Sequence, residues 1–205
     1  MARKRRQWNT RYFDHIVMRG NNRQDIFRTQ ADFDEFFRVL NYANMKHPFR
    51  LIAYCVMTNH YHLLLQSPNA PLGKVMGLIN HRYTDYYKKK YNYSGYLYDS
   101  RYFAKQADSP ATLLKISRYI HRNPIKTVVP MVSRMEDYYY SSFHFYKGEK
   151  ATCYVFLDLI ILPSLLPSSY TKSNKDYYRY CEEELDEDGN IATTRILKSG
   201  DFIAK

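Results

Sequence analysis

The feature that most constrains the fold is the stretch over residues 51–66, LIAYCVMTNHYHLLLQ. Two apolar runs with branched and aromatic residues flank a short polar centre, and this pattern predicts a pair of buried strands. Side chains two residues apart on a strand point to the same face, so His60 and His62 project together while Tyr61 points away. Two adjacent neutral imidazoles suit a divalent metal ion, although two ordinary strand histidines would give the same pattern.

The rest of the first three-quarters predicts a small α+β domain. Further elements are indicated by periodicity: strands over 12–19 and 93–103, and helices over 32–45, 71–91 and 109–123. Ser109 and Pro110 form an N-cap signature, and the last helix must end near Asn123 because Pro124 follows. The order strand, helix, strand, strand, helix, strand predicts a ferredoxin-like βαββαβ sandwich. We expect an antiparallel sheet with helices on one face and the other face open to a ligand.

Charge is distributed unevenly along the chain. Residues 1–150 contain 25 Lys and Arg against 11 Asp and Glu, whereas residues 151–205 contain 6 against 9. A basic body favours a polyanionic partner, with nucleic acid as the leading candidate, and the high tyrosine content suits stacking on unpaired bases. We therefore predict a nucleic-acid-binding domain over 1–148 with a basic N-terminal arm, and a helical extension over 149–205 with an acidic tail. In the extension, helices are predicted over 154–166 and 174–184, and an acidic run covers 182–188.

The three cysteines and the hydropathy profile indicate the compartment. Cys55, Cys153 and Cys181 are odd in number and widely spaced, without a disulfide or zinc pattern. No N-terminal apolar segment follows the basic start, and no apolar run has the length of a membrane span. These features predict a cytoplasmic protein that does not contact membranes.

The predicted third helix contains two candidate residues for the position opposite the histidines. Tyr119 and Asn123 are four residues apart, which places them on one helical face a single turn from each other. Tyr119 is a candidate nucleophile and Asn123 a candidate oxygen ligand. A helix-surface tyrosine and a C-cap asparagine would give the same spacing, so this pair alone does not decide between the two interpretations.

Several ordered motifs together resemble the single-tyrosine HUH transposases, specifically the branch of REP-associated tyrosine transposases. The matching stretches are MRGNNRQ at 18–24 with Ile26 and Phe27, AYCVMTNHYHLL at 53–64, RYIHRNPI at 118–125 and YSS at 140–142. Tyr61 is a mild departure, since the family has a hydrophobic residue between the two histidines. Ordered motifs at family-like spacing are more specific than any one of them alone.

The resemblance implies an endonuclease and strand transferase that cuts single-stranded DNA near a hairpin through a 5′-phosphotyrosine intermediate. It implies Tyr119 as the nucleophile and His60, His62 and Asn123 as ligands of Mg or Mn; mobile-element relatives have Gln in place of Asn123. Residues at the end of the first strand and in the aromatic segment are candidate DNA contacts: Arg19, Asn21, Asn22, Arg23 and Arg101. For the first four, the alternative is a charged turn without a binding role.

Two functions from different classes remain open at this point. The first is the metal-dependent nicking and joining enzyme, and the second is a DNA- or RNA-hairpin-binding protein that has the same fold but does not cleave. Both predict affinity for nucleic acid that falls with salt. The presence of His60, His62, Tyr119 and Asn123 together favours the enzyme, and a monomer is expected in preference to a homodimer.

Overall fold

The structure is a computed structural model that describes residues 8–148 and 152–183. Most of the predicted basic arm, at 1–7, and most of the acidic run, at 184–188, lie outside the described residues. The strands are β1 (Phe13–Arg19), β2 (Arg50–Val56), β3 (His60–Gln66) and β4 (Phe103–Ala107). The α-helices are α1 (Gln30–Lys46), α2 (Leu72–Tyr91), α3 (Pro110–Arg122), α4 (Ile161–Ser164) and α5 (Asn174–Glu182).

The four strands form one antiparallel sheet in the order β2-β3-β1-β4. This order, with α1 following β1 and α2 following β3, is that of the split βαβ sandwich, and it confirms the predicted ferredoxin-like α+β class. In the central pair, Val17 stands opposite His62 and Arg19 opposite His60. The register therefore brings the end of β1 directly beside the histidine pair.

Local signals fix where the helices begin and end. Asp32 and Thr29 form a capping box at the start of α1, and Ser109 accepts a hydrogen bond from the Thr112 amide at the start of α3. Asn92 has left-handed backbone angles and ends α2. The predicted helices therefore form close to their expected bounds.

Two separate apolar clusters lie on the two faces of the sheet. Helices α1 and α2 cover the first face, where Ile16, Leu63 and Tyr61 are buried among helix side chains. The second face carries Leu64 and Cys55, which pack against α3 and the C-terminal segment. Both crossover helices lie on one face as predicted, but the expectation that the other face is open was wrong where α3 and the C-terminal segment pack on it. The residues that cover it lie C-terminal to β4. The end of the sheet that carries the histidines is open to solvent.

The predicted strand over 93–103 was misplaced, because β4 begins at Phe103, where that prediction ends. The segment before it turns twice, at Asn92 with φ 47° and at Gly95 with φ +102°. It then runs as a loop that meets the end of β1, where a bridge joins Gly20 and Tyr98 and the Asp99 amide donates to the Arg19 carbonyl. Alternating tyrosines gave it the appearance of a strand, and Arg101 lies in this loop.

The predicted helix over 154–166 was wrong except at its end, since only Ile161–Ser164 is helical. The preceding residues lie alongside β2 and use their backbone groups there. The Leu51 amide donates to the Phe156 carbonyl at 2.8 Å, and the Asp158 amide donates to the Leu51 carbonyl at 2.8 Å. These bonds are incompatible with helical pairing. The final predicted helix, over 174–184, forms as α5, and the domain boundary at 148 stays a prediction.

Across residues 8–148 and 152–183, the helices are too short or too polar to cross a membrane.

Candidate active site

A solvent-open cleft of about 490 Å³ lies at the end of the sheet where β1 and β3 carry polar residues. Strand β3 contributes His60 and His62, β1 contributes Arg19, and α3 contributes Tyr119 and Asn123. Residues 99–101 of the loop before β4 form the remaining wall. The structure thus brings the predicted nucleophile and all three predicted metal ligands to one cleft.

Both histidines have their Nδ1 atom engaged by a neighbouring side chain. The His62 Nδ1 lies 3.0 Å from the Nε2 of His15, and the His60 Nδ1 lies 2.6 Å from the Oδ1 of Asn59. Asn59 in turn donates from Nδ2 to the Arg23 carbonyl at 3.3 Å, so its oxygen is the atom turned towards His60. An amide oxygen accepts only, so His60 donates to it from the Nδ1–H.

The electrostatics of the cleft keep these rings neutral at neutral pH. Burial, aided by the Lys105 ammonium, lowers the pKa of His15 to about 4. Burial, aided by Arg19, also lowers the pKa of His60 to about 4, against a hydrogen bond with Asn123 that acts to raise it. The pKa of His62 is held well below its usual range, first by burial and then by the two neighbouring histidines. Unprotonated nitrogens are the form in which histidine binds a metal ion.

Helix α3 presents Tyr119 to the cleft because its opposite side is anchored in the second apolar cluster. Leu114, Ile120 and His121 are buried, whereas Tyr119 remains 51% exposed. The Tyr119 ring centroid lies 5.6 Å from that of His62, edge to face, and 5.9 Å from that of His15. The phenol is therefore accessible to a ligand that enters beside the histidines.

Asn123 occupies the C-cap position of α3, one turn after Tyr119. Its Nδ2 donates to the Tyr119 carbonyl at 2.9 Å, and its side chain also bonds to His60. Asn123 can therefore be both a helix C-cap and a candidate metal ligand, because the C-cap residue also reaches His60. The turn continues into a short 3₁₀ segment at Pro124.

The C-terminal segment holds α3 in place. Arg118 donates to the carbonyls of Tyr180 and Glu183, and Arg122 donates to the Cys181 carbonyl at 2.9 Å. These acceptors lie at the end of α5, where helix carbonyls lack partners within the helix. The two arginines that flank Tyr119 thus bind α5, which fixes the direction in which the tyrosine points.

His121 belongs to a different network, although it is two residues from Tyr119. Its Nε2 lies 2.8 Å from the Ser142 hydroxyl, and its Nδ1 lies 3.1 Å from the Tyr177 hydroxyl. The ring is fully buried, and burial lowers its pKa to about 3. His121 therefore joins α3 to the segments behind it and does not line the cleft.

The five predicted DNA contacts are distributed over the cleft and its surroundings. Arg19 and Arg101 line the cleft, and Asn21 lines an adjoining groove. Asn22 and Arg23 are exposed in a 3₁₀ turn, with φ of 50° and 59°. Neither of these two lines the cleft, so the structure separates them from the other three.

Gly20, which precedes this turn, is required by close packing. A Cβ atom there would lie 2.3 Å from the Gln24 carbonyl oxygen and 2.8 Å from an Ile26 methyl group. The turn also has two left-handed residues in succession, which is costly for side chains other than glycine. The Arg-Gly-Asn-Asn-Arg sequence thus encodes one fixed backbone shape next to Asn59.

Sequence reasoning missed His15 and Asn59. The alternation of β1 does place His15 on the same face as Arg19, but the register that sets it beside His62 depends on long-range pairing. Asn59 lies next to His60 in sequence, and nothing in the pattern indicates which way its amide turns. Both residues contact the Nδ1 atoms of the predicted ligands and not the cleft centre.

The residues present fit a divalent ion only if Asn123 takes part. Within the part of the chain that the structure describes, no group of three or more His, Cys, Asp or Glu residues could hold a metal ion. Two neutral imidazoles with occupied Nδ1 atoms, next to an amide that already reaches His60, form a suitable set of nitrogen and oxygen donors. The donor set is therefore compatible with a divalent metal ion.

A ferredoxin-like sheet that carries two adjacent histidines opposite a helix-borne tyrosine is the arrangement that the resemblance predicted for an HUH-type transposase. The family model described as "Transposase IS200 like" matches residues 6–123, more than half of the 205-residue chain. The chain therefore belongs to the IS200-like transposases, a family of enzymes. A comparison with curated proteins finds no match.

Two solved structures are similar to this one. A REP-associated tyrosine transposase bound to a REP hairpin matches with a TM-score of 0.60 and 16% identity, over 78% of this chain and 93% of that one. At this identity the match shows a similar fold and does not by itself assign a role to this chain. A candidate transposase from Deinococcus radiodurans R1 matches at 20% identity over 59% of this chain and 97% of that one. Its TM-score of 0.40 is too low to support an argument.

Proposed function

We propose that this protein is a metal-dependent endonuclease and strand transferase that cuts single-stranded DNA near hairpins through a 5′-phosphotyrosine intermediate. The observation that carries the proposal is the half-exposed Tyr119 ring, which faces the neutral His60 and His62 pair across an open cleft. Membership of the IS200-like transposases supports the reaction class. The similar fold of a transposase bound to a REP hairpin supports hairpin DNA as the substrate.

In the proposed reaction, the Tyr119 oxygen attacks a backbone phosphorus atom. A bond forms between that oxygen and phosphorus, and the bond from phosphorus to the 3′ oxygen breaks. The phenol proton passes to solvent and the departing 3′ oxygen takes up a proton, which leaves a free 3′-hydroxyl and a 5′-phosphotyrosine. Attack by another 3′-hydroxyl reverses these steps and joins the strands without an external energy source.

His60, His62 and Asn123 would hold Mg or Mn in this cleft. When bound, the ion would act as a Lewis acid on a phosphate oxygen. Asn59 and His15 keep the two imidazoles oriented through their Nδ1 atoms. The contacts of Arg118 and Arg122 with α5 hold Tyr119 at a fixed distance from them.

Arg19 and Arg101 are suited to bind the phosphates that flank the cut, since both are exposed and both line the cleft. The net charge of +11 favours binding to a polyanion that weakens with salt. We also propose that the protein acts as a monomer. In this proposal it works on DNA in the cytoplasm.

The test is incubation of the protein, and of Tyr119→Phe, with hairpin DNA that carries single-stranded flanks and a label on either end. We expect a covalent protein–DNA product that requires manganese, carries the label downstream of the cut and is absent with chelator. Tyr119→Phe should reduce this product at least about 1000-fold, since it removes the attacking oxygen, while its half-exposed position leaves stability unchanged.

Binding without a covalent product, over a varied set of chromosomal hairpins, would contradict the nuclease proposal. It would favour a hairpin-binding protein that does not cleave. A product that forms equally in Tyr119→Phe would assign the chemistry to another residue.

A further inference from the structure

The Tyr-Ser-Ser motif at 140–142 is not explained by the proposed function, because its residues do not line the cleft. Within the motif, Ser142 is fully buried. Its hydroxyl oxygen accepts a hydrogen bond from the Tyr54 amide at 2.9 Å and lies 2.8 Å from the Nε2 of His121. One side chain therefore connects β2, which contains Tyr54, with α3, which contains His121.

The point where Ser142 meets β2 is adjacent to the histidine pair. Cys55, which follows Tyr54, stands opposite His62 in the pairing of β2 with β3. The hydrogen bonds of Ser142 thus connect α3 to the two strands beside the candidate metal ligands. The arginines of α3 anchor the helix differently, because they bind carbonyls at the end of α5, which is not part of the sheet.

His121 extends this connection to α5 and back to α3. Its Nδ1 lies 3.1 Å from the Tyr177 hydroxyl. Tyr177 also bonds to the side chain of Ser117, whose hydroxyl donates to the Leu114 carbonyl at 3.0 Å. The hydroxyl and imidazole side chains involved are all fully buried, where a polar group without a partner is costly. We call Ser142, His121 and Tyr177 the buried network.

The buried network fixes the rotation of α3 about its own axis. Ser117 and His121 are one turn apart on the same side of the helix, whereas Tyr119, midway between them in sequence, lies on the opposite side. A helix held at both residues cannot turn without breaking a buried hydrogen bond. The direction of the half-exposed Tyr119 ring therefore depends on contacts behind the helix.

We propose that Ser142 is a positioning residue for the reaction at Tyr119, because it fixes through His121 the separation between the phenol and the histidine pair. This inference rests on the proposed function, since it takes Tyr119 as the nucleophile. Attack requires the reacting atoms to be held about 3–3.5 Å apart and aligned, and a misplacement of about 1 Å can cost 100-fold in rate. Ser142 is buried outside the cleft, so it acts on the rate of the covalent step and not on DNA affinity.

The first test compares two adjacent serines in the full chain. Ser142→Ala removes the hydroxyl that joins β2 to α3. Ser141→Ala is its matched control, because the Ser141 hydroxyl is equally buried but accepts from the Phe143 amide at 3.3 Å and lies 3.4 Å from the Tyr54 carbonyl. The measurements are the single-turnover rate of covalent product at saturating hairpin DNA and manganese, and the dissociation constant for the same DNA, both per folded molecule.

We expect Ser142→Ala to lower the rate about 10- to 100-fold while DNA affinity stays within about twofold of the wild type. Ser141→Ala should match the wild type in both quantities.

The second test uses two buried tyrosines, and it applies also if Ser142→Ala does not fold. Tyr177→Phe removes the α5 end of the buried network and keeps the ring, and we expect a rate about tenfold lower. Tyr146→Phe is its control, since that buried hydroxyl donates to the Ile52 carbonyl of β2 at 2.8 Å. The double variant Ser142→Ala/Tyr177→Phe should be about as slow as Ser142→Ala alone, because both changes break one network.

The position of Tyr119 is measured separately, by fluorine NMR of the metal-free and DNA-free protein that contains 3-fluorotyrosine. The signal that is missing from Tyr119→Phe belongs to Tyr119. This signal should shift or split in Ser142→Ala and stay as in the wild type in Ser141→Ala. The spectrum does not require cleavage, so it is independent of the proposed function.

Equal rate losses in the two serine variants, a rate loss matched by an equal loss of DNA affinity, or an unchanged Tyr119 signal in Ser142→Ala would overturn the proposal. So would fully additive effects of Ser142→Ala and Tyr177→Phe. Absence of covalent product from the wild type would reject the nuclease instead. A Tyr119 signal that moves in Ser142→Ala but not in Ser141→Ala would even then support Ser142 as the residue that positions this ring.

Discussion

The two faces of the sheet are formed by the same strands, but one face is buried under α1 and α2 and the other carries an open cleft. On β3, Tyr61 points into the helix face, where it is fully buried and donates to the Asn80 Oδ1 at 2.6 Å. Its neighbours His60 and His62 point to the other face and line an open cleft. Side chains alternate along a strand, so the seven residues of β3 contribute to the hydrophobic core on one face and to the cleft on the other.

The two faces are also held together by different forces. Helices α1 and α2 bind the sheet through rings and aliphatic groups, with Phe36 in contact with Phe27, Tyr61 and Tyr83. Helix α3 is held in addition by polar contacts with segments distant in sequence, such as Arg122 with the Cys181 carbonyl and His121 with Ser142. The helix face therefore depends mainly on apolar packing, whereas the position of α3, and with it the direction of Tyr119, depends also on these polar contacts.

The largest expected effect comes from a change on the helix face alone. Phe36→Ala removes a fully buried ring, and we expect the free energy of unfolding to fall by about 3–5 kcal/mol through lost burial and a residual cavity. Covalent product per folded molecule, measured well below the melting temperature, should equal that of the wild type. Urea unfolding and the covalent assay together measure both quantities.

Val128→Ala is the matched control, because it removes apolar atoms from a fully exposed side chain. Its free energy of unfolding should stay within about 0.5 kcal/mol of the wild type. Loss of product in the folded fraction of Phe36→Ala would contradict the separation of the two faces.

The next largest effect is a loss of folding stability at acid pH that is caused by the buried His121. The folded chain keeps His121 unprotonated down to a pKa of about 3, whereas the unfolded chain protonates it near 6.5. The unfolded state therefore binds more protons in this window, and stability falls as pH falls from 6.5 towards 4.5. His121 contributes at most about 1.4 kcal/mol per pH unit.

Urea unfolding of the metal-free protein at pH 6.5, 5.5 and 4.5 measures this slope. His121→Asn should be less stable at pH 6.5, because Ser142 and Tyr177 lose a partner, but its slope should be lower by about one proton. His15, His60 and His62 contribute a remaining slope in the same direction, since their pKa values are also lowered. An unchanged slope in the variant would exclude His121 as a source of the acid sensitivity.

The sequence predicted the sheet, the helices that cover its first face and the residues of the cleft, because these depend on local periodicity and on ordered motifs. It failed for 93–102 and 154–160, where alternating or apolar residues form irregular segments held by backbone bonds to β1 and β2. It also missed the covering of the second face. Such contacts join residues about a hundred positions apart, and local pattern carries no information about them.

His15 illustrates the same limit within the active site, and it gives the smallest of the expected effects. Only the pairing of β1 with β3 brings its Nε2 to the Nδ1 of His62. Side chains that engage the second nitrogen of a ligating histidine typically improve metal affinity by about 10- to 100-fold. His15→Leu should therefore weaken manganese binding by that factor. Titration calorimetry, or the electron paramagnetic resonance spectrum of free manganese, measures this affinity.

His15→Gln is the conservative variant, since its amide can still hydrogen bond to the His62 ring, and it should recover most of the lost affinity. Nitrogen NMR of the metal-free protein gives a second measurement, because loss of the contact in His15→Leu should change the ratio of the two His62 tautomers. Manganese affinity equal to the wild type in His15→Leu would show that the cleft face does not depend on this contact. In that case the apolar residues packed beneath β3 would be sufficient to orient the histidines. The orientation of the histidines on the cleft face would then depend on the packing of the helix face.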